Sequence, residues 1–315
     1  MLEIFYPYPD ITETLIGDHT ELYVAEHLSG FDQNYSSEIL EKLDTFAQEK
    51  GRVLTVYSAC IIKDEISKHY PNLNLLLIHH ELLEMHKPLH DYRNPPNINY
   101  KNFLCTFNGS PHLGRQLLTA YLYNQGLFDP EYCSKNFKTN ETMLWNELEF
   151  QTDWAEYYHR FFKNQNDFYE TIYSFGWNRF QHAKNIYTLQ DKLAGSFLHL
   201  VSETCATSAV PYITEKFLYS IVTKGLYIAH APMDWHNQVH TLLGFKPFSI
   251  FDYDFDSIKN PITRLIKLME QVQKFSKLSV SDWNDIRQME IDSIEYNYHH
   301  YFSKEYIKYI DRIGT

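Results

Sequence analysis

The chain has 315 residues, room for one large or two medium domains. Hydrophobic residues make up 44% and charged residues 22%, a globular balance that excludes a mainly disordered chain. The net charge is −12, with 28 basic residues against 40 acidic ones and no basic run, which argues against a broad footprint for duplex nucleic acid.

From the N-terminus, MLEIFYPYPDITET has no basic segment followed by an apolar stretch, so it does not read as a secretory signal. Residues 21–26 (ELYVAE) are a short strand candidate. The spacing of Ile39, Leu40, Leu43 and Phe46 predicts a helix over residues 36–50, capped by Ser36 or Ser37 and stopped by Gly51. Residues 52–58 (RVLTVYS) read as a strand, 61–69 as a short helix ended by Pro71, and 73–79 (LNLLLIH) as a second apolar strand. Strand, helix and strand within this span form a parallel βαβ signature.

Pro95 and Pro96 then forbid regular structure and mark a boundary between two lobes near residues 94–97. The pattern restarts with a strand at 103–107 and an amphipathic helix at 114–124. Residues 141–191 look mostly helical and crowded with aromatics. Strands follow at 197–202, 226–229 and 248–251, with a helix at 214–224 closed by Gly225. From Asn260 the chain reads as helical to its end, with Ser281 capping a long last helix.

The expected architecture is therefore α/β: two Rossmann-like lobes with a cleft between them and a helical C-terminus. The expected divisions are residues 1–96, 97–280 and 281–315, the last packing across both lobes, with a ligand at the carboxyl ends of the strands. Four scattered cysteines without a CxxC pair suit a reducing compartment, and no apolar run approaches the roughly 20 residues of a membrane span. The expectation is a cytoplasmic protein.

Two segments carry the chemistry. In Ser202-Glu-Thr-Cys-Ala-Thr-Ser-Ala-Val-Pro-Tyr-Ile-Thr-Glu-Lys-Phe, a buried strand ends on Glu203 and a helix begins near Thr214 with Glu215 and Lys216. A carboxylate at a strand's end suits ribose or sugar hydroxyls. A helix N-terminus beside a lysine suits a diphosphate. In Phe107-Asn-Gly-Ser-Pro-His-Leu-Gly-Arg, Asn108 closes a strand and Arg115 opens a helix, where its forked guanidinium can grip two phosphate oxygens. Neither segment is a GxGxxG or a Walker A motif. Each also reads as a plain βα turn with a helix cap.

Glu203 followed by Tyr212-Ile-Thr-Glu-Lys resembles the donor-binding signature of the α1,3-fucosyltransferase family, where Glu-Asn precedes Tyr-Val-Thr-Glu-Lys. The stretch from Asn108 to Arg115 resembles that family's Ser-Asn…Arg segment. Gly225-Leu-Tyr-Ile-Ala-His-Ala-Pro through Leu243-Gly-Phe-Lys-Pro-Phe is similar to uncharacterised phage and viral glycosyltransferase-like proteins. The likeness covers roughly residues 100–270. Thr204 stands where the family has Asn and Phe107 where it has Ser, which leaves the donor's sugar and base open.

The resemblance implies a GT-B fold and inverting transfer without metal or cofactor, from a nucleoside-diphosphate sugar to a glycan or other hydroxyl acceptor. A hydroxymethylated base in DNA is an alternative acceptor, disfavoured by charge, and an inactive nucleotide-sugar-binding module is an alternative role. Asn108, Arg115, Tyr212, Thr214, Glu215 and Lys216 would bind the donor, with Glu203 beside its sugar. A general base would come from the first lobe, with Glu26, His80, Glu81 and Asp91 as candidates and Glu81 the choice. Asp252, Asp254 and Asp256 form an acidic run that could chelate a divalent ion, read here as an ordinary acidic segment.

Overall fold

The computed structural model describes residues 2–4, 16–24, 34, 36–58, 60, 64–77, 89–138, 166–174, 182–204, 206–214 and 216–306. Glu81, Glu215, Glu26, His80 and most of the 141–191 stretch lie outside them.

Among the described residues, eight strands form two four-stranded sheets in which every pairing is parallel. The first sheet holds β1 (Leu2–Ile4), β2 (Glu21–Val24), β3 (Leu54–Ser58) and β4 (Leu73–Leu77) in sequence order. Helix α1 (Glu38–Glu49) buries Ile39, Leu40, Leu43, Phe46 and Ala47 against this sheet. Ser37 occupies its N-cap position without a side-chain cap bond, and Gly51 ends it at a φ of 61°, which glycine adopts without cost. A four-residue helix, α2 (Asp64–Ser67), precedes β4.

The second sheet runs β6 (Cys133–Lys135), β5 (Asn102–Asn108), β7 (Ser196–Ser202), β8 (Leu226–His230). Helix α3 (Leu113–Asn124) follows β5. Two helices, α4 (Asn166–Glu170) and α5 (His182–Ala194), precede β7. Helix α6 (Lys216–Val222) joins β7 to β8, and α7 (Trp235–Thr241) follows β8. All residues of β7 and β8 are buried, as expected of parallel strands covered on both faces. Residues 92–101 run between the sheets without helix or strand, as Pro95 and Pro96 require. They are fastened to the second half: Tyr298 Oη donates to the Arg93 carbonyl (2.8 Å), and the Asn99 N–H to the Ala194 carbonyl (3.1 Å).

Several local expectations need correction. Residues 248–251 are a turn and not a strand, because Glu290 Oε1 takes the Ile250 N–H (2.9 Å) and the Ser249 hydroxyl, so a side chain satisfies what a strand neighbour would. The last long helix is two helices, α9 (Val280–Met289) and α10 (Ile291–Tyr301), broken at that same Glu290. Its cap is Ser279 in a capping box with Asp282, in place of Ser281. Helix α6 spans only 216–222. The left-handed residue after it is Lys224, with a φ of 55°, and Gly225 serves a different need. A Cβ on Gly225 would fall 2.0 Å from His199 Cε1. The three-residue strands β1 and β6 were not expected. Among the described residues, no helix is long and apolar enough to cross a membrane.

Candidate functional site

In the second sheet, β5 connects outward to β6 and β7 connects the opposite way to β8. The chain therefore leaves two adjacent strands in opposite directions, and the crevice at their carboxyl ends is where open α/β sheets bind ligands. The β5–β7 ladder pairs Asn102 with Ser196 and Cys105 with His199, and both strands continue three residues further to end level at Asn108 and Ser202. Over that last stretch each is laddered to its outer neighbour, Asn108 to Lys135 and Ser202 to His230.

Thr204, just past β7, is the hub. Its Oγ1 accepts from Arg115 Nη2 (3.0 Å) and from Lys216 Nζ (3.2 Å). Arg115 comes from the first turn of α3 and Lys216 is the first residue of α6, so two βα turns bring two cations to one hydroxyl. Arg115 is buried, and it also donates to the Ser202 carbonyl (3.4 Å). Lys216 Nζ donates to Thr214 Oγ1 (2.9 Å) as well. The Thr214 N–H (3.2 Å) and hydroxyl both donate to the fully buried Glu203 carboxylate, which lies 4.0 Å from Lys216 Nζ. Glu203 thus holds the loop that carries Thr214 and Lys216.

A third cation, the buried Arg264, reaches this corner from α8 (Pro261–Phe275). It donates to the carbonyls of Ala231 (3.0 Å), Ala206 (2.9 Å), Ile258 and Lys259, all of them neutral acceptors. Burial lowers its pKa to about 10, with Asp256 and Asp234 opposing. Arg115 and Lys216 with the Glu203 carboxylate, and Arg264 with Asp256 and Asp234 near it, gather charge of both signs in a largely buried corner.

Asn108 is fully buried; its side chain donates to the Ser134 carbonyl (3.1 Å), while its Oδ1 has no partner among the described residues. Tyr212 is fully buried. Its ring packs in the core of the first sheet together with Val210, and its backbone bridges to Cys60 beyond β3. The loop after β7 thereby ties the carboxyl end of the second sheet to that of the first. The structure thus brings Glu203, Thr214, Lys216 and Arg115 around Thr204 and sets Asn108 in the same strand-end row as Ser202; Glu81 and Glu215 lie outside the described residues.

The acidic run has other duties. Asp256 accepts from the N–H groups of His236 (3.2 Å) and Asn237 (3.0 Å) at the start of α7, and from His236 Nδ1 at 2.7 Å. Burial alone would raise its pKa, but His236 and those N–H groups outweigh it and hold the carboxyl low. Asp252 and Asp254 are exposed, and the Asp254 N–H closes on Asp252 Oδ1. Among the described residues, no group of three or more His, Cys, Asp or Glu side chains is gathered for a metal.

Sequence reasoning missed Ser202, His230 and Arg264. The signal for the first two was present: the apolar runs FLCTFN, FLHLVS and LYIAH each end in a polar residue. Arg264 carried no local signal, since an Arg in the first turn of a helix is usually solvated.

No family profile and no curated protein matches the sequence. The chain is similar in structure to a DNA-modifying beta-glucosyltransferase, solved in the presence and absence of its substrate uridine diphosphoglucose. The TM-score is 0.40 and the identity 10%, over 92% of this chain and 74% of that one. A likeness at that level fixes neither fold nor function.

Proposed function

We propose that the protein is a nucleotide-sugar-dependent glycosyltransferase with its donor site at the β5–β7 crevice. The observation that carries this reading is the convergence of Arg115 and Lys216 on Thr204 Oγ1 at a topological switch point. The two cationic heads are no further apart than the sum of their distances to that atom, close enough for one phosphate group to bridge them. A diphosphate placed there would accept charge-assisted hydrogen bonds from both.

In the transfer, an acceptor hydroxyl attacks the sugar's anomeric carbon and the bond to the diphosphate oxygen breaks. Negative charge then grows on the leaving diphosphate, where Arg115 and Lys216 stabilise it more strongly than in the bound donor. The hydroxyl proton passes to a general base, for which Glu81 is the candidate. The acceptor is a glycan or other hydroxyl compound; the charge of −12 disfavours one that needs broad duplex contact. The likeness of residues 100–270 to fucosyltransferase donor segments supports the donor class and leaves its sugar and base open.

A thermal-shift screen of UDP, GDP, CDP, dTDP and their sugars tests the reading. A ligand at 100 times its dissociation constant adds about 2.7 kcal/mol of stability, so a donor stands out from its neighbours. With that donor, slow hydrolysis is expected without an acceptor, and it persists in EDTA because protein cations hold the diphosphate. Binding without any hydrolysis would make the protein an inactive module. Turnover abolished by chelator and restored by Mn²⁺ would overturn the metal-independent mechanism.

A further inference from the structure

We propose that His230 is a further ligand-contacting residue of this site, donating a ring N–H to an oxygen of the bound diphosphate. The inference rests on the nucleotide-sugar reading and adds a contact that the Arg115 and Lys216 pair does not include.

His230 is the last residue of β8 and 2% exposed, yet neither ring nitrogen has a hydrogen-bond partner among the described residues. The Gly114 backbone approaches it without hydrogen-bond geometry. Buried polar groups are nearly always partnered, and one left unmade costs the folded state. Among the described residues, His236 and His199 each use at least one ring nitrogen, although His199 Nδ1 also lacks a partner. His236 uses both nitrogens, one on Asp256 and the other accepting the Ala229 N–H (3.0 Å), and His199 Nε2 meets the Leu193 carbonyl at 2.8 Å. His230 uses neither, and it sits where ligands bind.

Its surroundings specify the ligand. Arg264 and Arg115 lie close enough to hold the imidazole neutral, on top of the burial that pushes its pKa down to about 3. A neutral imidazole offers one N–H in either tautomer and adds no repulsion to a site already rich in cations. The same guanidinium charges draw an anion to it. Ser202, directly across from His230 in the ladder, also has a buried hydroxyl with no partner, as does Asn108 Oδ1 on the next strand. Three adjacent strands thus end in polar atoms that await a ligand.

The backbone makes room for this arrangement. A Cβ on Gly114 would lie 3.1 Å from His230 Nε2 and 2.9 Å from Ala206 Cβ, so only glycine lets the first turn of α3 come so near.

The test is calorimetry on the full chain with UDP, GDP, CDP, dTDP and inorganic pyrophosphate, followed by His230→Leu, which keeps similar volume without a donor. The leucine variant is expected to lose about tenfold in affinity for the best nucleoside diphosphate and for pyrophosphate. Its ligand-free melting temperature should be equal to or above that of the wild type, since an unmade hydrogen bond has been removed. His230→Asn, which keeps an N–H on a shorter arm, should fall between the two, and it decides the matter if the leucine variant does not fold. Affinity unchanged in these variants while Arg115→Ala loses it would overturn the role of His230 and leave the nucleotide reading standing. No binding of any nucleoside diphosphate to the wild type would overturn that reading, and this inference with it.

Discussion

The two parallel sheets have the same number of strands and different uses for them. In the first, strand order follows sequence order, so successive strands are added on one side and no crevice opens at a reversal among the described strands. Its β3 alternates buried and half-buried residues, and its core takes in Val210 and Tyr212 from the far half of the chain. In the second sheet the order reverses between β5 and β7, and β7 and β8 are buried from end to end. Asn108, Ser202 and His230 are held away from water at the strand ends of the second sheet, beside the crevice that its reversal opens. One sheet adds its strands on one side; the other opens a crevice.

The tolerance to added volume should differ most. Gly225→Ala in the second sheet puts a methyl 2.0–2.7 Å from three atoms of the His199 ring, which its bond to Leu193 fixes. We expect a loss of about 3 kcal/mol or more in urea unfolding. Gly51→Ala beside the first sheet has open space around it and only its positive φ to resist the change, so about 1 kcal/mol is expected. Equal losses would contradict the contrast.

Thr204→Val keeps the volume and removes the hydroxyl shared by Arg115 and Lys216. A cost of about 1–3 kcal/mol in stability is expected, with weakened donor binding in calorimetry. A variant with both quantities unchanged would mean that Thr204 is no hub.

The acid response should come from the second half. Burial pushes the pKa of His199 to about 4, of His230 to about 3 and of His240 to about 4, against an ordinary value near 6.5. Between pH 6.5 and about 4 the unfolded chain therefore binds protons that the folded chain does not. The stability is fully present above pH 6.5 and is lost as the pH falls, by up to about 1.4 kcal/mol per pH unit for each histidine. Urea midpoints at pH 7, 6 and 5 should drop in sequence, and His230→Leu should shallow the slope. A flat profile would refute this.

Much of this was legible beforehand, for a physical reason. Strands buried on both faces read as unbroken apolar runs, so FLCTFN, FLHLVS and LYIAH stood out, and Pro95–Pro96 announced a segment without helix or strand. Arg115 and Lys216 were readable because βα turns put helix openings at strand ends. What escaped was long-range. Glu290, 40 residues away, takes the Ile250 N–H and turns an apolar FSIF into a turn. Arg264 reaches Ala206 across 58 residues. No local pattern announces such pairings, because the partner of a buried polar group is chosen by the packed chain.

The central claim is that the β5–β7 crevice holds a diphosphate between two helix openings. Isothermal titration of the best nucleoside diphosphate into wild type, Arg115→Ala and Lys216→Ala tests it most directly, with Arg52→Ala beside the first sheet as control. Each site variant removes a charge-assisted contact of about 1.5–3 kcal/mol, so affinity should fall at least tenfold in both while the control stays at the wild-type value. Affinity unchanged in both folded site variants would mean that the crevice is not the donor site.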